Sequence, residues 1–499
     1  MGHDDHKQSI REITSYLQIS VGSPVLHAVN FANDCASFAD MLFRFLRVVF
    51  ALVYLLAVGL VRGCLSGDEK AFDRIVGRSY GDLYIVLRRN CWLVVLTFAL
   101  IPACSQRPAV RQPLDQRVYV WQRQWTSAVS DAVVASEKQL DGVVALGAEL
   151  EWNGAIARPI ESNIDWKALR HCKRCGVALR VAPIADLKNV GDRRSDAVAA
   201  EVRRLFSEAE KEAPITELQL DFDCAEKDLL AYSRWVAVLR RLVTPARLII
   251  TALPAWLDSA AFPQLIANCD SYVLQVHSVP LHKSAADWKI CDPALAQQWV
   301  ARAAAYKKPF AVALPTYRCI AGYTPAGRLL GVTMDSVQGR WPPDTRLHEV
   351  AADPDDLAGL IQKWQKRRPA ELREIIWYRL PVATDARNWR FATLAAVANG
   401  RRPRRQVDIV SEGTNPVDIA IRNNVEADER LRFELVVSSD EPPIAADALR
   451  GCSVELREAK TIFATNDGEA LQVRPGETYN VGWLRFASRV NLQFQLVRH

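Results

Sequence analysis

Methionine is scarce in this 499-residue chain, where Met1, Met41 and Met334 are the whole supply. Long apolar runs are missing as well. The two that stand out are shorter than the roughly 20 residues a spanning helix needs, and a mean hydropathy of -0.05 excludes a polytopic membrane protein. With 23 glycines and 25 prolines the chain is not collagen-like. The net charge of +6 is small for this length, so no nucleic-acid partner is expected. A metal-dependent hydrolase draws on several imidazoles, and beyond the N-terminal region few candidates stand out, chiefly His277, His282 and His348. What is present is a globular composition, 49% hydrophobic and 24% charged, in a chain too long for one ordinary domain.

Seven cysteines follow Cys104: Cys172, Cys175, Cys224, Cys269, Cys291, Cys319 and Cys452. An odd number leaves at least one thiol unpaired within a monomer. The string His171-Cys172-Lys173-Arg174-Cys175 has a zinc-like spacing, but no second CxxC or HxxxH accompanies it, so a local site lacks ligands. A helix-end coincidence or a local redox pair is the reading that remains. Neither a metal nor a cofactor is expected.

The apolar runs are Val48–Val61, between Arg47 and Arg62, and Cys91–Cys104, preceded by Arg88 and Arg89. Each has the length of a signal-peptide core behind a basic segment. The second ends Leu100-Ile101-Pro102-Ala103-Cys104-Ser105, which resembles a bacterial lipobox. The resemblance implies cleavage before Cys104 and diacylglycerol on its thiol, a membrane anchor that buries many methylenes in the bilayer. The alternative is a short buried helix stopped by Pro102. A signal of this kind opens its chain, yet no methionine lies between Met41 and Cys104. Residues 1–85 are therefore read as a doubtful extension and 86–104 as the signal segment, starting at a non-Met codon such as that of Val86. A genuine extension, with Val48–Val61 as a short first anchor, is the other option.

From Arg117 onward, short β-branched runs alternate with amphipathic stretches. Strands are expected at Arg117–Gln122, Gly142–Glu151, Gly176–Pro183, Thr216–Asp223, Arg247–Leu253, Ser271–His277, Phe310–Thr316 and Glu374–Leu380. Helices are expected between them, among others at Ser127–Leu140, Ser195–Glu212, Ala225–Leu242, Ala294–Lys307 and Pro354–Lys366, with a last one at Asn388–Asn399. Eight such units suit an α/β fold of the (β/α)8 TIM barrel type over residues 105–400. An open doubly wound sheet is the alternative, but no Gly-rich phosphate loop follows any strand. Thr316–Asp353 is too long for a plain loop and should overhang the barrel's C-terminal face. Arg401-Arg402-Pro403-Arg404-Arg405 reads as a solvated hinge. Beyond it, Val407–Val410, Asp418–Arg422, Arg432–Val437, Ser453–Glu458 and Asn491–Val497 predict a small all-β, sandwich-like domain over 406–499.

Alternate residues of a strand face opposite sides. In the fourth strand Leu218, Leu220 and Phe222 form an apolar face for the helices, so Gln219, Asp221 and Asp223 should point into the barrel. Carboxylates there are costly to bury and need partners or a wet site. They are read as catalytic, against a structural ion pair with Arg180 or Arg379. Gln275 and His277 share a face at the end of strand six, and Glu149 and Glu151 close strand two. Trp121 and Trp125 end strand one, Tyr317 follows strand seven, and Trp377 and Arg379 alternate on strand eight. Paired carboxylates with aromatic platforms describe a carbohydrate site. One carboxyl protonates the leaving glycosidic oxygen, while a second group attacks, activates water or holds the substrate's own nucleophile. Indole faces stack on the C–H surfaces of sugars.

Four strings, Val118–Trp125 (VYVWQRQW), Leu218–Cys224 (LQLDFDC), Thr251–Trp256 (TALPAW) and Ile376–Pro381 (IWYRLP), resemble those of a bacterial family known as domain of unknown function 3142. The resemblance spans most of residues 117–400 and implies a glycoside-hydrolase-like barrel without an established activity. The chain is also similar, more weakly, to chitinase-type family 18 glycosidases, which carry DxxDxDxE on strand four and a Trp on strand eight. By alternating face, Gln219, Asp221 and Asp223 fall where that family has Asp, Asp and the catalytic Glu, and Trp377 falls near its strand-eight Trp. Departures are plain: Asp223 is one methylene short, Gln219 removes an acid, and Gln275 and His277 stand where that family has a strand-six Tyr.

These readings predict an envelope-anchored, periplasm-facing lipoprotein whose barrel binds or hydrolyses a polysaccharide. Asp223 is expected as the general acid, its pKa raised by like-charge repulsion from Asp221. Glu149 or Glu151 supplies the second carboxylate. Gln219, Gln275, His277 and Arg379 bind and orient substrate, and Trp121, Trp125, Tyr317 and Trp377 form the platform. A non-catalytic glycan-binding or envelope-assembly lipoprotein is the competing class, favoured if arginines tie up both Asp221 and Asp223.

Overall fold

A computed structural model describes residues 113–499, apart from 155, 185–186, 190–191, 211, 214, 278–287, 335–340, 459 and 467–468, and apart from the side chains of 189 and 192. The chain divides into two units, Met1–Arg111 and Gln112–His499, and everything below concerns the second. Val48–Val61, the signal segment and Cys104 lie outside the described residues.

The barrel strands are β1 (Asp115–Val120), β2 (Gly142–Asn153), whose hairpin partner is β3 (Ile156–Glu161), then β4 (Cys175–Val181), β5 (Ile215–Phe222), β6 (Arg247–Ala252), β7 (Ser271–Gln275) and β8 (Phe310–Pro315). An excursion of β9 (Arg318–Tyr323), β10 (Leu329–Thr333) and β11 (Arg346–Ala351) precedes the last barrel strand, β12 (Leu372–Tyr378). Parallel pairing runs β2-β4-β5-β6-β7-β8-β12. It closes through β1, where Val118 lies beside both Val143 and Trp377. All eight predicted strands are there, and the fold is the expected (β/α)8 barrel.

The helices are α1 (Ser127–Ser136), α2 (Asp192–Ala209), α3 (Leu229–Leu242), α4 (Phe262–Ala267), α5 (Pro293–Ala304), α6 (Pro354–Lys366) and α7 (Phe391–Ala398). Starts are written in the sequence where an Asp cap precedes a Pro. Asp292 and Asp353 each accept two backbone N–H bonds, and the proline behind each has no N–H to lose. Val118, Val120, Leu218, Leu220, Phe222, Leu248 and Ile250 form the outward strand faces that pack against these helices.

Two additions reshape the barrel's C-terminal end. β2 continues beyond the barrel and folds back antiparallel as β3. The long stretch after β8 is no loop: it is a three-stranded sheet, with β9 between β10 and β11. Cys319, Ala321 and Tyr323 on one face of β9 pack with Trp288, Ile290 and Tyr317. On β9, Gly322 makes room for the Trp341 indole, which a Cβ would meet at 2.4 Å.

From Asp408 to Arg498 the described strands form two four-stranded antiparallel sheets and a two-stranded ribbon. Ile419, Ile421 and Leu484 of one sheet share a core with Phe433, Leu435 and Phe463 of the other, which makes a sandwich. The arginine-rich connection into it is exposed to solvent at its arginines, as expected, but it is pinned at several points. Arg401 clasps Glu426 through both terminal nitrogens, the Arg404 N–H donates to the same carboxylate at 2.9 Å, and Arg405 reaches back to Asp355 on α6 at 2.9 Å. It is no free hinge, because those carboxylates, distant in sequence, give Arg401, Arg404 and Arg405 partners.

Candidate functional site

Barrel interiors are normally filled by branched apolar side chains; this one carries polar layers. At the floor Arg117, 1% exposed, donates from Nη1 to Glu217 at 2.5 Å and from Nη2 to Glu374 at 2.8 Å, with a further bond from Nε to Glu374. Gly176 leaves space for this, since a Cβ there would lie 2.7 Å from the Glu217 side chain. Burial works against the charge on Glu217, yet Arg117's charge and hydrogen bonds outweigh it and hold the carboxyl below its ordinary range. Gln219 donates to Glu217 at 3.0 Å and accepts from the Tyr119 hydroxyl at 2.6 Å. It was expected to touch substrate. Instead it is fully buried beneath the mouth, a link in this network.

One layer higher, strand register sets Glu149, Arg180 and Asp221 side by side across β2, β4 and β5. Asp221 accepts from the Thr251 hydroxyl at 2.9 Å and from the Gln275 amide at 3.2 Å. Arg180 Nε stands 3.9 Å away, close enough to attract but not to donate. Burial lifts the Asp221 pKa to about 6, Asp223 adds to the rise, and Thr251, Arg180 and Gln275 pull against it. The expectation placed the proton on Asp223 with Asp221 as perturber. In the structure Asp223 is one of the perturbers of Asp221, because the strand carries Asp221 inward while Asp223 lies past its end, exposed. No hydrogen bond or ion pair joins Asp223 to another described residue.

Glu149 reaches this mouth but is gripped by Arg123, with bonds of 2.9 and 3.1 Å. Glu151 is exposed on the hairpin, 4.0 Å from Arg158, and takes no part in the cluster. It follows β2 out of the barrel, which a strand ending at residue 151 does not foresee.

Aromatic rings line the opposite side. Trp121, Tyr119 and Tyr378 meet edge to face, with centroids 5.3 to 6.0 Å apart. The His277 ring stacks on Tyr378 at 5.3 Å, and Tyr317 meets His277 edge-on at 5.9 Å with its hydroxyl 3.4 Å from Nδ1. Burial lowers the His277 pKa to about 4, so the ring is neutral near pH 7.

Two platform residues fall elsewhere. Trp377 has 0% exposure and points outward into the helix-side core, where its Nε1 donates to Gln116 at 2.8 Å and its ring tilts against Trp389. Tyr378, passed over in the sequence, is the interior residue. The signal was available: Glu374 must face Arg117 in the barrel, and Ile376 and Tyr378 share its parity. Trp125 packs, half-buried, against the same helix-side core. Arg379 is held by Asp385 at 2.7 Å, and not by Asp221 or Asp223. Among the described residues no group of three His, Cys, Asp or Glu side chains is placed to hold a metal ion.

The mouth thus combines a buried, hydrogen-bonded carboxyl, an exposed carboxyl and a ring wall. Residues 190–383 match the family described as Domain of unknown function (DUF3142). The matched stretch includes three of the four strings singled out above, Leu218–Cys224, Thr251–Trp256 and Ile376–Pro381. No curated protein matches the chain. Among solved structures, the chain is similar to a chitinase from Bacillus thuringiensis, at 9% identity and TM-score 0.36, over 77% of this chain and 100% of that one. It is similar to the spore cortex-lytic enzyme SleL of Bacillus cereus, at 14% and 0.40, over 58% and 74%. It is similar too to a xylanase and alpha-amylase inhibitor protein from Scadoxus multiflorus, at 12% and 0.37, over 58% and 98%.

Proposed function

We propose that this chain is a polysaccharide-directed barrel that cleaves glycosidic bonds with Asp221 and Asp223 at its C-terminal mouth. The observation that carries the reading is Asp221, whose pKa of about 6 lets it hold or release a proton under mildly acidic conditions. Arginine does not tie up both carboxylates: Arg180 meets Asp221 only as a long ion pair of 3.9 Å, and Asp223 makes no hydrogen bond or ion pair with another described residue. Asp221 serves as the buried acid and Asp223 as the solvent-facing carboxylate, while Gln275 orients Asp221. Trp121, Tyr378 and His277 offer sugar rings a wall, with the buried Tyr317 packed behind them. Glu149 steadies Arg123 at the rim, and Arg379, fixed by Asp385, is available to substrate hydroxyls.

The Leu100–Ser105 string supports attachment through lipid on Cys104, with the barrel facing the periplasm. The competing reading, a glycan-binding or assembly lipoprotein without catalysis, draws on the grip of Arg123 on Glu149, which withdraws one candidate second carboxylate. The test is release of reducing ends from a polysaccharide panel by the full chain, beside Asp221→Asn and Asp223→Asn, with retention on the same polysaccharides. Cleavage abolished in Asp221→Asn establishes the enzyme. Retention without cleavage selects the binding protein, and neither activity overturns the carbohydrate reading.

A further inference from the structure

A cavity lies at the floor of the barrel, at the N-terminal ends of the strands and away from the mouth. Its volume is about 110 Å3, and its lining brings together Arg117, Arg174, Arg247 and Arg373, with Asp115 and Glu374 as the acidic members. These four guanidiniums differ in how far they are committed. Arg117 spends its donors on Glu217 and Glu374. Arg174 shares Nη1 between Asp115 at 2.8 Å and Glu374 at 3.2 Å. Arg247 comes no nearer to Glu217 than 3.8 Å, and half of its side chain is exposed. Arg373 is exposed and makes no hydrogen bond or ion pair with another described residue.

Four guanidiniums face three carboxylates here, counting Glu217 behind Arg117, which leaves a positive excess. That excess sits on the two arginines with uncommitted donors. A guanidinium fork matches oxygens of a carboxylate or phosphate, and two forks beside one cavity favour a compact oxyanion. We propose that the barrel floor binds a phosphate-class anion between Arg247 and Arg373, with Arg174 as a third donor. The site is separate from the mouth and stands whether or not the glycosidase reading does.

Two sources offer that chemistry: free phosphate, and the phosphodiester of a lipid headgroup. β1 starts at this floor with Asp115, eleven positions after Cys104. On the proposed anchoring, that much chain spans at most about 40 Å, which bounds the distance from the lipid-bearing residue to the floor.

The test is calorimetric titration of the full chain in neutral detergent with inorganic phosphate and with glycerophosphoglycerol, a water-soluble phosphodiester headgroup. The double variant Arg247→Ala/Arg373→Ala is titrated beside it. Saturable binding in about the millimolar range, weakened about tenfold or more in the double variant, is expected. Binding of the diester marks a headgroup site, and binding of inorganic phosphate alone marks a free-anion site. Should the alanine variant misfold, Arg247→Lys/Arg373→Lys keeps the charge, loses the forks and still weakens binding. No saturable binding by the natural chain, or equal binding by folded variants, overturns the site.

Discussion

Asp221→Asn separates an active-site carboxyl from a structural one through stability alone. Folding lifts the Asp221 pKa from 3.8 to about 6. Between those values the folded carboxyl holds a proton that the unfolded chain has released, so stability falls as the pH rises across that window. A shift of about two units at roughly 1.4 kcal/mol each makes the ionised group cost about 3 kcal/mol above pH 6. Asn cannot ionise, and its carbonyl still accepts from Thr251. Its amide, however, brings donors that find no ready acceptor at this spot, a penalty of about 1 kcal/mol. The variant is therefore expected to be about 2 kcal/mol more stable than the natural chain at pH 8, and slightly less stable at pH 4. Denaturant unfolding of both full-length proteins, followed by tryptophan fluorescence at the two pH values, measures the crossing. A variant less stable at pH 8 refutes the reasoning: Asp221 is then a structural acceptor whose charge the fold needs. A carboxyl that weakens its own fold at neutral pH is what the proposed acid role requires.

Arg117→Met leaves Glu217 and Glu374 in the barrel floor without their main counter-charge, and removing one partner of a buried pair costs about 3 to 5 kcal/mol. Glu217 is depressed in the natural fold, so its contribution is present above the unfolded carboxylate pKa and is lost as the pH falls. Unfolding measurements should find the penalty larger at pH 7 than at pH 4. His277 should show an NMR titration midpoint near 4, and the stability tied to its neutral ring is lost as the pH falls from about 6.5; a midpoint above 6 contradicts its burial. Arg474 of the β-sandwich donates to the carbonyl of Ala386, next to Asp385, which holds Arg379. Arg474→Ala should cost about 1 kcal/mol in unfolding measurements. It should also weaken polysaccharide retention more than that loss of stability explains, because Arg379 loses its fixed position.

The barrel was legible because a parallel sheet covered on both sides demands near-continuous apolar runs, and Val, Ile, Leu and Ala supply them in β2, β6 and β8. Helix starts at Asp292-Pro293 and Asp353-Pro354 were equally open to reading. The β2–β3 hairpin was written but passed over: Asn153-Gly154 is a strong hairpin turn signal, and Gly154 takes the positive φ of 64° such turns need. The sheet after β8 was visible only as excess length. Its three short strands owe their order to a Gly322 seat for Trp341 and to packing on Tyr317, neither of which has a local signature.

The site divides along the same line. Asp221, Gln275, His277, Tyr317 and Trp121 meet at the mouth because strand periodicity and the C-terminal-end rule are enough to place them. Gln219 and Trp377 were misplaced for a different reason, since a polar or aromatic residue on a barrel strand has two possible destinations. Which one it takes depends on partners from other strands. Gln219 goes to structure because Glu217 and Tyr119 occupy its amide. Trp377 turns outward because Glu374, three residues earlier and so on the opposite face, is bound to Arg117 and sets the parity of β12. The same dependence decides between the two aspartates. Identical in chemistry and two residues apart, they differ because β5 ends at Phe222. Asp221 is held inside by Thr251 and Gln275 and keeps its proton to about pH 6, whereas Asp223 is exposed past the strand end. The position of a strand end thus gives two like carboxylates different surroundings, and one residue of slip in that strand would turn both side chains toward the helices.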